Sequence, residues 1–144
     1  MKNPKISIIT VVKNNAKDLE NCILSVLNQN YKNFEHIIID GKSTDGTIDI
    51  IKKYNSKIYK WVSEEDNGLY DAMNKGINLA TGDIIGILNS DDIFYENALY
   101  YVKEYFEKYS NIDFLFGTVE KYKLLFRYNP KKIYWSFGFY TTHS

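Results

Sequence analysis

Apolar residues follow two alternating rhythms along this chain. Lys5 to Val12, Phe34 to Ile39, Lys57 to Val62, Asp83 to Leu88 and Ile112 to Gly117 are short, mostly apolar and rich in β-branched residues. Such runs predict strands covered on both faces. Between them the apolar positions recur at helical spacing. Leu19, Ile23, Val26 and Leu27 mark a helix running through Asn28, with Asn15 or Asp18 as its cap. Ile48, Ile51 and Tyr54 mark a second helix, capped by Thr44 or Asp45. A third runs from about Leu69 to Ala80 with Met73, Ile77 and Ala80 on one face, and Thr81-Gly82 ends it, the glycine being suited to a left-handed C′ position. Glu96 to Tyr109 predicts a fourth, with Leu99, Val102, Phe106 and Tyr109 inward. Val119 to Tyr128 looks strand-like and able to pair in a hairpin, whereas the aromatic tail, Ile133 to Ser144, has no clear period.

This alternation predicts an α/β fold over residues 1–144 as a single domain, with a mainly parallel sheet between helices. Right-handed crossovers put the ends of the first, second and fourth strands on one edge. Thr10 to Lys13, Asp40 and Asp91-Asp92 then meet around one crevice, where open α/β sheets bind ligands. The fourth strand is the unusual one, because an apolar run stops abruptly at two adjacent carboxylates, Asp91 and Asp92. Such a pair repels and loses hydration unless a positive group joins it. A divalent cation carrying a phosphorylated ligand would supply that charge; a solvated Asp-Asp turn capping the next helix is the simpler alternative.

Composition narrows the chemistry. Lys+Arg and Asp+Glu both number 18, so no bulk charge steers the chain to nucleic acid and any anion site is local. The single cysteine, Cys22, excludes an internal disulfide framework and a cysteine-based zinc site, and reads as a small core residue. His36 and His143 are too far apart to suggest a histidine metal site. No run approaches the roughly 18 apolar residues of a membrane span. Met1-Lys2-Asn3-Pro4 leads directly into a strand without a signal-peptide core, so the expected location is cytoplasmic. Gly41-Lys42-Ser43 invites a P-loop reading, but that motif needs a glycine where His36 stands. A dinucleotide-binding turn needs glycines after the first strand, and Lys13-Asn14-Asn15-Ala16 has none.

Four segments occur in order at strand ends: I-S-I-I-T-V-V-K-N (residues 6–14), D-G-K-S-T-D-G-T (40–47), D-N-G-L-Y-D-A-M-N-K-G (66–76) and L-N-S-D-D (88–92). Together they resemble the family 2 glycosyltransferases, inverting enzymes of GT-A fold, and most of all the bacterial members of surface-polysaccharide and lipopolysaccharide synthesis. The resemblance implies transfer of a sugar from a nucleoside diphosphate sugar, typically UDP-linked, to a glycan or lipid-linked acceptor. It implies that Thr10 to Val12 line the base, mostly through backbone, and that Asp40 accepts a hydrogen bond from the pyrimidine. Asp66, Gly68 and Asp71 match the stretch that closes over uracil and ribose, with Asn74 and Lys75 behind it. Lys75 either offsets diphosphate charge or is a solvated helix lysine. Asp91 would hold the ribose hydroxyls and Asp92 would ligate Mg²⁺ or Mn²⁺, as the D-x-D-type site; Asn89 stands where the family often has an aspartate.

The general base of the family lies in a segment beyond the position matching His143-Ser144, so no catalytic base is assigned. The resemblance therefore covers the donor-binding portion, which leaves a non-catalytic nucleotide-sugar-binding module as an alternative. A sugar nucleotidyltransferase is a second alternative, although Lys13 to Lys17 lacks the glycine- and arginine-rich loop such enzymes carry. Peripheral association with the inner face of the plasma membrane is a family expectation. The aromatic tail, read as a surface that a further segment would cover, carries an expectation of its own, self-association.

Overall fold

The computed structural model describes residues 1–116 and 138–141. The elements run β1 (Ile6–Val12), α1 (Ala16–Leu27), β2 (Phe34–Asp40), α2 (Thr47–Lys53), β3 (Lys60–Ser63), α3 (Leu69–Leu79), β4 (Ile84–Ile87), α4 (Ala98–Lys108), β5 (Phe114–Phe116) and β6 (Gly138–Thr141). They form one sheet in the order β3-β2-β1-β4-β6-β5. β1 to β4 are mutually parallel. Their alternate residues face opposite layers, as the pleat requires. Ile6, Ile8 and Ile84 pack with Cys22 and Val26 of α1 and Leu99, Val102 and Phe106 of α4. Val12 and Ile38 extend that layer over Leu19, Ile23 and Ile51. On the other face Ile9, Val11, Ile37, Ile39 and Ile85 meet Ala72 and the flank of α3. α3 comes very close to the sheet because Gly76 has no side chain; a Cβ there would stand 2.3 Å from Ile9 Cγ2.

The first four strands occupy the predicted places, and the departures have local causes. The fifth strand does not extend the parallel set. β6 lies between β4 and β5 and is antiparallel to both. The tail read as having no period thus supplies a strand inside the sheet. The strand-like run from Val119 to Tyr128 lies outside the described residues. β3 starts at Lys60 rather than Lys57, because the N–H groups of Lys57 and Ile58 still bond back to Tyr54 O, at 2.9 and 3.1 Å. Gly82 is not left-handed. Its role is close approach, since a Cβ would meet Lys5 O and Ser7 Oγ, both at 2.7 Å. The caps also differ. Asn15 holds the N-cap position of α1 without a side-chain cap bond, and Gly46, at φ 99°, is the N-cap of α2.

The opposite, N-terminal edge of the strands is held by a buried carboxylate. Glu35 takes a 2.6 Å ion pair from Lys5 and hydrogen bonds from Ser7, Thr81 N–H and Thr81 Oγ1. Burial pushes this carboxyl up, but those donors outweigh it and hold Glu35 below the usual carboxylate range. A cavity of about 230 Å³ opens there between Lys5, Glu35 and Tyr59, away from the acid-bearing edge.

Candidate functional site

The chain runs from β1 outward through β2 and β3, then returns to place β4 on the other side of β1. The gap between β1 and β4 is therefore the switch point of the sheet, where a crevice forms outside the strand ends. β1 pairs with β4 only from Ile6 to Ile9, while its pairing with β2 continues to Val12. Thr10 to Val12 thus lie beside the opening. The side chains of Thr10 and Val12 are buried. Thr10 Oγ1 is hydrogen-bonded to His36 Nε2 at 2.8 Å. What β1 offers at the crevice is backbone.

Three loops line this edge, and hydrogen bonds lace them together. Asn14, itself at φ 50°, takes Thr44 N–H on its Oδ1 at 2.8 Å and donates its own N–H to Ser43 Oγ at 2.7 Å. Asn15 N–H donates to Thr47 Oγ1 at 3.1 Å. Asp45 does the capping that Asn15 does not: its Oδ2 accepts Ala16 N–H at 3.0 Å, while its Oδ1 accepts from Thr47 N–H and Thr47 Oγ1. The Ala16 N–H first, then the Thr47 hydroxyl, hold the Asp45 carboxyl below its ordinary value. Freed from capping, Asn15 donates its side-chain amide to Ser90 Oγ at 3.1 Å. That bond links the loop after β1 to the acid-bearing loop after β4.

Asp40, the last residue of β2, has no exposed surface. Its carboxylate accepts Ser43 N–H at 3.0 Å, the Ser43 hydroxyl, and Ser63 Oγ at 2.6 Å. It gathers the ends of β2 and β3. Asp66 is partly exposed, and its Oδ1 accepts Gly68 N–H at 2.9 Å. Gly68 opens α3 at φ 107°, ψ 179°, a conformation that favours glycine. Asp71 accepts Asn67 N–H at 3.0 Å and pairs with Lys75 at 3.3 Å; the first contact and then the second hold it below its usual value. Lys75 also reaches Glu64 Oε1 at 3.0 Å and Glu65 O at 2.8 Å. It clamps the acidic loop onto α3, a role neither sequence-based alternative foresaw. Asn74 is exposed beside it.

Asp91 and Asp92 sit in a turn closed by Asp92 N–H on Asn89 O at 3.0 Å. They do not cap α4, whose N-cap is Asn97. Asp91 is exposed and Asp92 half-buried. Burial first, then the neighbouring Asp91 charge, pushes the Asp92 carboxyl above its ordinary value, and a hydrogen bond from Asn89 only partly opposes this. From below, Cys22 Sγ donates to Asn89 O at 3.6 Å. Burial pushes this thiol up to about 12, so it acts as a neutral donor. The contributions of Asn15, Ser43, Ser63 and Cys22 were missed from sequence. The only local signal was the polar, turn-prone composition of the loops after β1 and β2.

The match to known proteins falls on this architecture. The family model described as "Glycosyl transferase family 2" matches residues 7–144. The chain belongs to glycosyl transferase family 2. The family 2 chain is 35% identical, over 123 residues, to a PGL/p-HBAD biosynthesis glycosyltransferase of Mycobacterium bovis BCG, covering 83% of this chain and 48% of that protein. It is 36% identical over 99 residues to TuaG of Bacillus subtilis, assigned to teichuronic acid biosynthesis, covering 67% and 39%. This chain thus spans about half, or less, of the length of these relatives. Among solved structures it resembles S. aureus TarS in complex with UDP-GlcNAc, with a TM-score of 0.74 at 23% identity over 88% of this chain and 37% of the other. It also resembles the mannosyltransferase PcManGT of Pyrobaculum calidifontis in complex with GDP-Man and Mn²⁺. That TM-score is 0.59 at 26% identity, over 63% and 28% of the two chains. The fold is GT-A, as the motifs implied.

The donor set of the Asn89–Asp92 turn fits a divalent cation. Among the described residues Asn89 Oδ1 is buried without a hydrogen-bond partner, on the same turn as the Asp91 and Asp92 carboxylates. Hard oxygen donors of this kind suit Mg²⁺ or Mn²⁺. Among the described residues no group of three or more His, Cys, Asp and Glu forms a ready-made metal cage. A cation here would complete its shell from phosphates and water, which is common for Mg²⁺. Among the described residues, too, no helix is long and apolar enough to cross a membrane.

Proposed function

We propose that this chain binds a nucleoside diphosphate sugar, with UDP as the nucleotide, and belongs to an inverting glycosyltransferase of surface-polysaccharide or glycolipid synthesis. One observation carries the proposal: Asp92 lies half-buried beside Asp91 at the switch-point crevice, its carboxyl raised by burial and then by the Asp91 charge. A cation-bound diphosphate would bring positive charge to that pair. PcManGT and TarS, which share the fold, are seen with GDP-Man and Mn²⁺ and with UDP-GlcNAc.

In this reading the backbone of Thr10 to Val12 lines the nucleotide, and Asp91 accepts from ribose hydroxyls. Asp92, with Asn89 Oδ1 beside it, would hold Mg²⁺ or Mn²⁺. When bound, that ion supplies Lewis-acid stabilisation of the departing diphosphate, worth several kcal/mol. Asn15 and Cys22 keep the acidic turn in place. Asp66, Gly68 and Asp71 form the flap next to the base, with Asn74 and Lys75 behind, and Lys75 fixes the flap to α3. The acceptor is a glycan or lipid-linked sugar. The base that deprotonates it is not assigned to a residue of this chain.

A thermal-shift screen of UDP-, GDP- and dTDP-sugars with Mn²⁺ tests the proposal. A ligand that binds only the native state raises the melting temperature by mass action. The expected result is a clear rise with UDP-sugars; no rise with any nucleotide sugar overturns it.

A further inference from the structure

Two carboxylates stand at the end of β2 in opposite states. Asp40 has no exposed surface, and its oxygens take three hydrogen bonds from Ser43 and Ser63. An ionised carboxylate offers about four acceptor positions, so little is left for a ligand. Asp66 is partly exposed, and only its Oδ1 is engaged, by Gly68 N–H. Among the described residues, nothing donates to its Oδ2.

Where that oxygen sits is set by Gly41. A Cβ on Gly41 would stand 2.5 Å from Asp66 Oδ2 and 3.2 Å from Lys13 Cδ. The Asp66 carboxylate therefore fills the space that a side chain at position 41 would take. Gly41 itself is tied to β1 by its N–H on Val12 O at 2.9 Å. The open acceptor thus lies beside the β1 backbone that lines the crevice, held by its own turn to Gly68.

We infer that Asp66 Oδ2 is the acceptor that reads a ring N–H of the nucleobase, and that Asp40 is a positioning residue without contact to the base. The inference rests on the nucleotide-binding proposal above. It moves the base contact that the motif resemblance gives to Asp40 onto Asp66. A carboxylate acceptor suits uracil, with its N3–H, or guanine, with its N1–H. It opposes cytosine, whose N3 presents a lone pair, and a site built around a hydrogen-bond donor strongly rejects an analogue lacking it.

Calorimetric titration with UDP, GDP and CDP in the presence of Mn²⁺ tests this on the whole chain and on Asp66→Asn, Gly41→Ala and Ser63→Ala. The wild type should prefer UDP or GDP over CDP by about 100-fold, and the tighter of the two identifies the base. Asp66→Asn, whose amide can donate to cytosine N3, should bring CDP within about tenfold of the preferred nucleotide at an unchanged melting temperature. Gly41→Ala should weaken the preferred nucleotide by displacing Asp66, while Ser63→Ala, which loosens Asp40, should keep the preference. An Asp66→Asn protein that retains the wild-type ratio, or a Ser63→Ala protein that loses it, overturns the assignment while leaving nucleotide binding intact. A wild type that binds none of the three overturns the functional proposal and this assignment with it.

Discussion

Ser63 donates its hydroxyl to the Asp40 carboxylate at 2.6 Å, a side-chain tie added to the backbone pairing of the β3 end with the β2 end. Asp40 also holds Ser43, which in turn accepts the N–H of Asn14. A buried carboxylate with several donors is costly to break, because its partners are left unsatisfied. Asp40→Ala should lower stability by about 3 kcal/mol and Ser63→Ala by about 1 kcal/mol. Urea unfolding of the two variants against wild type checks both values.

His36 makes stability depend on pH. It is fully buried, its Nδ1 has no hydrogen-bond partner among the described residues, and burial depresses its pKa to about 3. The unfolded chain takes up a proton near pH 6.5, and the folded chain does not until about pH 3. Stability is therefore fully present above pH 6.5 and falls as pH drops through the window between these values. Between pH 7 and 5 the loss from this group is about 2 kcal/mol. Chemical denaturation at both pH values measures it. NMR of the His36 ring should show it neutral in the folded protein at pH 5; a protonated ring there would contradict the account.

Gly76 should not tolerate a methyl group. Its Cβ would lie 2.3 Å from Ile9 Cγ2, 3.3 Å from Ile9 Cγ1 and 3.4 Å from Ile39 Cγ1. The preference of alanine over glycine inside a helix, about 1 kcal/mol, favours the substitution. Overpacking a helix against a sheet costs about 1–3 kcal/mol and wins at this separation. Gly76→Ala should be net destabilising, as a lower urea midpoint.

Metal-dependent nucleotide binding should weaken in acid. The Asp92 carboxyl is raised above its ordinary value by burial and by Asp91, so it takes up a proton earlier than an exposed aspartate as pH falls. A protonated carboxyl is a poor cation ligand. Mn²⁺-dependent UDP affinity should decline toward acid pH in the wild type and vary less in Asp92→Asn, as followed by titration calorimetry across pH.

The parallel half of the fold was legible because each of its strands is an apolar run and each helix carries its own period. β6 was not legible. It enters an existing sheet between β4 and β5, so its place depends on partners far away in the chain. The caps failed for the same reason. Asp45 lies in the loop after β2, yet it accepts the first helical N–H of α1, and Asn15 at the cap position turns to Ser90 instead. At the site, sequence put Asp40, Asp66 and Asp91-Asp92 on one sheet edge. It could not distinguish the enclosed Asp40 from the open Asp66, because that difference depends on Ser63 and on the bare Cα of Gly41.

The most direct test of the central claim is calorimetric titration of UDP into wild type and Asp92→Ala, each with Mn²⁺ and with EDTA. Binding by the wild type should depend on Mn²⁺ and be weakened at least about tenfold by either EDTA or the substitution. Equal affinity in all four titrations would contradict it.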